Sequence, residues 1–383
     1  LRLWTDNMYG TLQPSIRSTG HQSARPRLRV PGLIASVSLI LLGWPAMSGT
    51  DTDETLARRI EAVVPENFSG QIAVGDRRRI NYSRAFGLAD REAGRPNRSN
   101  TLFDMGSITK TFTATSVLQL AAAGKVSLDQ TLGHWFDDLQ KETAAITLHQ
   151  LLTHTSGLPL YSGDDDAACD RACFDDWLAK TPLEFSPGDR FQYSNPGYSA
   201  LARIVEKASG ADYETYLERA LVAPLRLGPV GYLQLPDDAS YAVGYYQGQR
   251  VGTPPELAWM EDGPSWHLRG NGGLVASANS LLRWMQATAE GRPLPDPWSA
   301  KQIERQVKRH TNVWYGYGWG VLDKPWGTEI SHSGGNGFFV ADVRWFRDRD
   351  LFLAVTGNAY EKEQTNALIS NLRDVLELAP TSE

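Results

Sequence analysis

A serine and a lysine three residues apart form the first group that could carry out covalent chemistry. Ser107-Ile108-Thr109-Lys110 begins a stretch with helical periodicity, in which residues three apart lie on one face. A serine hydroxyl becomes a strong nucleophile when a basic neighbour takes its proton. The free N–H groups and the positive dipole end of a helix N-terminus also favour negative charge that develops beside Ser107. The spacing therefore predicts a nucleophilic serine with a basic partner.

Two further motifs supply polar groups that a cleft could present to a substrate. Tyr193-Ser194-Asn195 precedes Pro-Gly and a helical stretch, so we expect a loop that aims a phenol and an amide outward. His332-Ser333-Gly334-Gly335 follows a strand-like run, where small residues allow close approach of a substrate backbone and leave a peptide N–H exposed. S-x-x-K, Y-x-N and H-x-G each occur once in the chain.

In this order, the three motifs resemble those of the serine beta-lactamase and penicillin-binding protein superfamily, in its class C-like branch. Two supporting segments, residues 151–158 and 272–277, are similar to it as well, and the resemblance extends from about residue 55 to residue 378. The branch includes D-alanyl-D-alanine carboxypeptidases, D-amino-acid peptidases and esterases. His154, within the first supporting segment, is assigned a structural role that bonds the backbone.

The resemblance implies a role for each matching residue. Ser107 is the expected nucleophile that becomes an acyl-enzyme, and Lys110 together with Tyr193 is expected to take its proton. The backbone N–H groups of Ser107 and Gly335 are the expected oxyanion hole. Three further positions are expected to bind the substrate: Asn195, His332 and Gly334.

The third motif departs from that of the beta-lactamases, which carry K-T-G where this chain has His332-Ser333-Gly334. A histidine with a pKa near 6.5 is mostly neutral at pH 7 and binds a substrate carboxylate less well than lysine does. We therefore expect inefficient penicillin hydrolysis.

A carboxylate-binding arginine of the carboxypeptidase type is not evident just before the third motif. No arginine occurs between Thr311 and Ser331. Arg269 or Arg344 is the alternative cation, although an exposed structural role is favoured for each.

The expected function is that of a serine acyl hydrolase that uses no cofactor and no metal and acts on small esters or D-amino-acid peptides. The alternatives among enzymes are a D-alanyl-D-alanine carboxypeptidase and a weak class C-like beta-lactamase. An alternative of another class is a non-hydrolytic penicillin-binding receptor that is acylated without turnover. The expected partner is a small ester, peptide or beta-lactam-like molecule, since a formal charge of −6 without a basic patch argues against nucleic acid.

Strands near both ends of the chain and helices between them must position these motifs. A hairpin is predicted at 69–74 and 80–88, four strands at 314–322, 328–332, 338–346 and 351–357, and a closing helix at 361–378. This order indicates an α+β protein of the beta-lactamase/transpeptidase-like type, in which an antiparallel sheet built from both termini is flanked by helices. We expect a sheet part at 49–106 and 265–383, a mostly helical lobe at 107–264, and the active site between the two.

Residues 1–48 have the pattern of a signal peptide. Arg25, Arg27 and Arg29 precede an apolar centre at 33–42 that is too short for a comfortable membrane span. The mature chain is therefore predicted to be periplasmic or secreted and to lack a stable span, and an uncleaved signal that anchors it to a membrane is the alternative.

Two other features carry predictions of their own. Cys169 and Cys173, four residues apart, are open to a small disulfide or to two partly buried thiols. Two cysteines cannot form a disulfide framework or a four-ligand zinc site. The acidic run at 164–166 is interpreted as a solvated loop, because it lacks the glycine that a calcium loop needs.

Overall fold

The computed structural model describes residues 49–257, 260–359 and 362–377. Residues from Thr55 onward form one compact unit, which holds all the residues of the candidate site. The predicted signal peptide lies outside the described residues. None of the described helices is long and apolar enough to cross a membrane.

Helices account for most of the middle of the chain. The α-helices, in chain order, are α1 Gly49–Glu61, α2 Thr109–Ala122, α3 Lys141–Ala144, α4 Leu148–Leu152, α5 Arg171–Lys180, α6 Asn195–Ser209, α7 Tyr213–Leu217, α8 Ala223–Leu225, α9 Ala278–Ala289, α10 Trp298–Gln302 and α11 Lys362–Glu377. A π-helical segment, Glu218–Val222, joins α7 to α8, and short 3-10 turns occur at Gly106–Ile108, Leu132–His134, Pro254–Glu256 and Arg347–Arg349.

Strands concentrate near the two ends. In chain order they are β1 Gly70–Asp76, β2 Ile80–Phe86, β3 Leu88–Asp90, β4 Arg95–Pro96, β5 Phe103–Asp104, β6 Val230–Gly231, β7 Gly244–Tyr246, β8 Gln249–Gly252, β9 Val275–Ala276, β10 Val307–His310, β11 Val313–Tyr315, β12 Gly320–Lys324, β13 Gly327–Gly335, β14 Val340–Phe346 and β15 Leu351–Gly357. Eight of them form one antiparallel sheet in the order β10-β11-β12-β13-β14-β15-β1-β2.

Alternation of side chains along the central strands decides which helices cover each face of the sheet. In β1, Ile72 and Val74 are buried with apolar residues of the terminal helices α1 and α11, such as Ile60 and Leu368. Ala73 lies on the opposite face, in the core that the helical part of the chain shares with α9. Helices therefore flank both faces, as the predicted α+β fold of the beta-lactamase/transpeptidase-like type requires.

The C-terminal strands differ from the prediction in two places. The run 314–322 is two strands, β11 and β12, because residues 316–319 leave the sheet: Gly316 N donates to Trp319 O at 2.7 Å, and Gly318 packs against the backbone of Lys110. The edge strand β10 was not predicted, because Val-Lys-Arg-His shows no apolar alternation. The other predicted strands and the hairpin are present.

Candidate active site

The serine of the S-x-x-K motif stands on the 3-10 turn Gly106–Ile108, immediately before α2. Ser107 is half-buried, whereas Lys110, in the first turn of α2, is fully buried. The Lys110 Nζ atom lies 3.1 Å from Ser107 Oγ. The structure thus brings together the two groups that the spacing predicts to act as a pair.

Two oxygen atoms from other parts of the chain complete the surroundings of the Lys110 amine. Nζ donates to Asn195 Oδ1 at 2.8 Å and to the Asn271 carbonyl at 2.7 Å. Burial lowers the pKa of Lys110 well below its ordinary value of 10.5, and the nearby negative charge of Asp165 opposes this shift. In its neutral form the amine has two N–H groups, which match the two shorter bonds, and a lone pair for Ser107 Oγ.

The second motif brings its tyrosine ring beside the same lysine. Lys110 Nζ lies 4.8 Å from the centroid of the half-buried Tyr193 ring. Ser194 is the N-cap of α6 and accepts a hydrogen bond from Gly197 N at 3.2 Å, so that the helix begins at Asn195. This cap fixes the direction in which the chain presents Tyr193 and Asn195.

His154 supports the second motif from behind. Its Nδ1 accepts a hydrogen bond from the Ser194 N–H at 3.1 Å, and its ring stacks on Tyr193 with the centroids 4.2 Å apart. Burial lowers the pKa of His154 well below 6.5, and the charges of Lys110 and Arg309 act in the same direction. A neutral, backbone-bonded imidazole agrees with the structural role predicted for this residue.

The third motif packs directly against the turn that carries Ser107. A Cβ atom on Gly106 would lie 2.2 Å from Gly335 N, and one on Gly334 would lie 2.0 Å from Met105 O. Gly106 also has a φ of +50°, a conformation that favours glycine. Only glycines allow β13 and the serine turn to approach this closely, and their approach brings the backbone of Gly335 next to that of Ser107.

His332 is 3% exposed and lies in β13 behind this contact. Its Nδ1 is 2.9 Å from the Ser333 carbonyl, which accepts its proton, and its Nε2 is 3.3 Å from the Tyr315 hydroxyl. Burial, followed by the charge of Lys110, lowers the pKa of His332 to about 3. The ring is therefore neutral at physiological pH, which is the charge state expected from the sequence.

A buried carboxylate links the serine turn to the loop after β13. Asp104 Oδ1 accepts a hydrogen bond from the Gly106 N–H at 2.7 Å, and Oδ2 accepts one from Asn336 Nδ2 at 2.9 Å. Burial raises the pKa of Asp104 to about 7, against the effect of these two bonds. We call this arrangement the Asp104–Asn336 bridge. It holds together the two backbone segments that carry Ser107 and Gly335.

The two arginines proposed as carboxylate-binding cations both serve the fold instead. Arg269 is 3% exposed and donates to the Pro264 carbonyl at 3.2 Å, and Arg344 is enclosed by Asp342 and Glu329. Both are structural, as favoured, but the expectation that they are exposed is wrong.

Arg309 on β10 is a second cation, after Lys110, whose charge acts on His332 of the third motif. Its guanidinium carbon lies 5.3 Å from the centroid of the Phe191 ring, and its charge lowers the pKa of both His154 and His332. Because the strand itself was not predicted, this residue was not identified from the sequence.

The cysteines form a disulfide, Cys169–Cys173, with Cα atoms 5.3 Å apart. His267 adjoins it, and these three residues are the one group of potential metal ligands within 4.8 Å of one another in the described part of the chain. Because the sulfurs are bonded to each other, neither offers a thiolate to a metal.

The comparison with known proteins agrees with the motifs and the geometry. The family model "Beta-lactamase" matches residues 57–376. The chain belongs to the beta-lactamase family. It is 31% identical to esterase EstB of Burkholderia gladioli, over 84% of this chain and 95% of the esterase. It is also 26% identical to a penicillin-binding protein of Bacillus subtilis (strain 168), over 81% of this chain and 72% of that protein.

The fold of this beta-lactamase family member has solved counterparts. The crystal structure of a penicillin binding protein from Bacillus halodurans superposes with a TM-score of 0.71 and 26% identity, over 83% of this chain and 98% of that one. The superfamily recognised from the three motifs is confirmed, and the chain is a serine hydrolase of this family.

Sequence reasoning missed several residues that surround the motifs. Asn271 precedes the recognised segment 272–277 by one position, and Asp104 precedes Ser107 by three, so both lay close to features already singled out. Asn336 follows the third motif directly. Asp165 was assigned to a solvated run, whereas its side chain is half-buried and its charge acts on Lys110.

Proposed function

We propose that Ser107 is the nucleophile of an acyl-transfer reaction in which water releases the acyl group. The observation that carries this proposal is the 3.1 Å separation of Ser107 Oγ from a buried amine, that of Lys110. Deprotonation of Ser107 allows Oγ to form a bond with the substrate carbonyl carbon, and the leaving group departs with a proton. Water then attacks the acyl-enzyme and regenerates the serine.

Lys110 and Tyr193 are proposed to move the proton. The lowered pKa of Lys110 supports a neutral amine that accepts the proton of Ser107. The tyrosine ring beside it supports a shared role, in which Tyr193 passes a proton to the leaving group. Coupled groups of this kind titrate as a pair.

The negative charge on the carbonyl oxygen is proposed to be stabilised by the backbone N–H groups of Ser107 and Gly335. The close approach of β13 to the serine turn supports this arrangement. Loss of one such donor typically costs about 10² to 10³ in rate. Three residues are proposed to contact the substrate around this centre: Asn195, His332 and Gly334.

Small esters or D-amino-acid peptides are the substrates proposed for this chain. The 31% identity to an esterase, with 95% of that esterase's length matched, supports this proposal. A neutral His332 attracts a substrate carboxylate less than the lysine of K-T-G does, which places beta-lactam hydrolysis behind esterase activity. The reaction as proposed is carried out by protein groups and water, with no cofactor.

A D-alanyl-D-alanine carboxypeptidase is the second candidate, and Arg309 favours it. Its charge lowers the pKa of His154 and of His332, which supports a guanidinium within range of the third motif as the partner of a terminal carboxylate. Release of D-alanine from a peptide that ends in D-alanyl-D-alanine distinguishes this activity from that of a pure esterase.

The predicted organisation and location remain part of the proposal. We propose that the cleft lies between the sheet part, 49–106 and 265–383, and the helical lobe, 107–264. Periplasmic location or secretion rests on the signal pattern of residues 1–48.

The test is to label the protein with a fluorophosphonate and to locate the adduct by intact mass and peptide mapping. We expect one adduct, on Ser107, and we expect Ser107→Ala to abolish both labelling and ester turnover while its circular dichroism matches that of the wild type. The half-buried Ser333→Ala variant is the matched control and should still be labelled. Turnover by Ser107→Ala near the wild-type rate contradicts the assignment. Stoichiometric acylation without product would instead indicate the non-hydrolytic receptor.

A further inference from the structure

The loop between α4 and α5 lies along the side of the site that holds the second motif. The Leu160 carbonyl accepts a hydrogen bond from the Asn195 N–H at 3.0 Å, which ties the start of the loop to the residue that binds Lys110. Two residues farther on, Ser162 Oγ lies 2.9 Å from His267 Nδ1. The loop is therefore anchored at two points just before the acidic run 164–166.

The second anchor also leads back to Lys110. Asn271 Nδ2 donates to the His267 carbonyl at 2.8 Å, and the Asn271 carbonyl accepts from Lys110 Nζ at 2.7 Å. The end of the loop is closed by the disulfide Cys169–Cys173. These contacts hold both ends of the segment that carries residues 163–166, and they connect its first end to the residues that bind Lys110.

One of the three consecutive aspartates turns inward. Asp164 and Asp166 are exposed, whereas Asp165 is half-buried. The side chain that is half-buried is also the one whose charge raises the pKa of Lys110 and that of Asp104, the two titratable residues that flank Ser107 in the sequence. The interpretation of the whole run as a solvated loop is wrong at this position.

The Asp165 carboxylate has no hydrogen-bond or ion-pair partner in the described part of the chain. Lys110 directs its bonds elsewhere, to Ser107, Asn195 and Asn271. Burial raises the pKa of Asp165 to about 6, with Lys110 acting against the shift, so the group is mostly ionised at pH 7.5. A half-buried carboxylate without a partner gains most from a cation that arrives with a ligand.

We infer that Asp165 is a specificity-determining residue that binds a positively charged nitrogen of the substrate, close to the bond that is broken. This inference rests on the proposed function of Ser107 and narrows its substrates to esters or peptides that carry an ammonium group. The two histidines of the site are neutral and do not compete for the carboxylate. The charge of Arg309 lowers the pKa of those histidines but is not among the charges that shift the pKa of Asp165.

The experiment compares substrates that share a shape and differ in charge. Butyrylcholine and 3,3-dimethylbutyl butyrate form one pair, with the charge in the leaving group. The p-nitrophenyl esters of 6-aminohexanoic and heptanoic acid form the other, with the charge in the acyl group. The quantity measured is the ratio of kcat/KM for the charged ester to that for its neutral partner, at pH 7.5 and low ionic strength.

We expect the wild type to prefer the charged member of at least one pair, and Asp165→Asn to lower that ratio by roughly tenfold, the scale of one charge pair in a partly desolvated site. Asp165→Glu should restore most of the preference. The neighbouring variants Asp164→Asn and Asp166→Asn change the same formal charge on the exposed side of the loop, and their ratios should stay within about twofold of the wild type.

Three results overturn the inference, and they can be told apart. If Asp165 only adjusts the pKa of Lys110, Asp165→Asn changes both esters of a pair equally and the ratio stays constant. If the effect is general surface charge, all three asparagine variants lower the ratio alike. If the wild type hydrolyses neither pair and Ser107 is not labelled by the fluorophosphonate, the proposed function itself fails, and the inference fails with it.

Discussion

A single buried carboxylate connects the two backbone segments on which the proposed oxyanion hole depends. The Asp104–Asn336 bridge joins the N–H of Gly106, on the serine turn, to the loop that follows β13. Asn336 Oδ1 is itself held by the Phe339 N–H at 2.9 Å, so the amide cannot turn over without losing a bond. The bridge is therefore a positioning device with one titratable member.

Asp104 should make the stability of the protein depend on pH between about 4 and 7. Its pKa is raised from 3.8 to about 7 in the folded state, so in this window the folded chain binds a proton that the unfolded chain has released. The stabilising contribution is complete below pH 4, falls as pH rises, and is lost above pH 7. Between pH 5 and pH 8 the free energy of unfolding of the wild type should therefore fall. We expect the fall in Asp104→Asn to be smaller by on the order of 2 kcal/mol.

Urea denaturation of both proteins at pH 5 and pH 8 measures this difference. Asp189→Asn, at an exposed position, is the control and should keep the pH dependence of the wild type. Equal decreases in the wild type and in Asp104→Asn would show that Asp104 does not titrate in this range.

At the scale of elements, motifs on a helix start or on a long strand were predictable, and short irregular connections were not. S-x-x-K was placed at the beginning of α2 because the helical periodicity starts at that motif. The break at 316–319 depends on the contact of Gly318 with α2, which is far away in sequence. An edge strand such as β10 pairs on one side only and can be rich in charged residues, so its sequence does not show the apolar alternation that predicts a strand.

The position of β10 gives Arg309 a testable part in binding anionic substrates. Along this strand Lys308 and His310 are exposed, whereas Arg309 is half-buried and its charge lowers the pKa of His332. For a peptide that ends in D-alanyl-D-alanine, we expect Arg309→Gln to lower kcat/KM about tenfold relative to a neutral ester, because a charge-assisted bond to the terminal carboxylate is lost. The measurement is D-alanine release compared with ester hydrolysis on the same protein samples.

Lys308→Gln provides the matched control, since it removes the same charge from the neighbouring exposed position. It should leave the relative rates within about twofold of the wild type. A similar fall for both variants would assign the effect to the net charge of the edge strand and not to Arg309.

At the scale of the whole molecule, a chain of buried charges links the terminal helix to the strand that carries the third motif. Glu329, which is fully buried, pairs with Arg344 and lies 3.2 Å from Arg373 of α11. Arg344 also pairs with Asp342 at 2.6 Å, and Asp342 accepts a bond from the Ser333 hydroxyl at 2.6 Å. This network lies on the face of β13 opposite to the serine turn, because side chains alternate along the strand.

Removal of the central charge of this network should destabilise the fold without altering the chemistry of the site. Glu329→Gln removes the ion pair of Glu329 with Arg373 and leaves Arg344 paired with Asp342 alone. The loss of one partner of a buried ion pair lowers the free energy of unfolding by about 3 kcal/mol. We expect urea denaturation to show a decrease of this size, whereas Glu304→Gln, at an exposed position, should change the stability by less than about 0.5 kcal/mol.

Ester hydrolysis by folded Glu329→Gln at 25 °C should stay within about twofold of the wild type, because the network meets the third motif only through the Ser333 side chain on the far face of β13. A stability loss below about 1 kcal/mol would mean that the arginines find other partners, and a large loss of turnover in the folded variant would mean that the network also sets the position of Gly335.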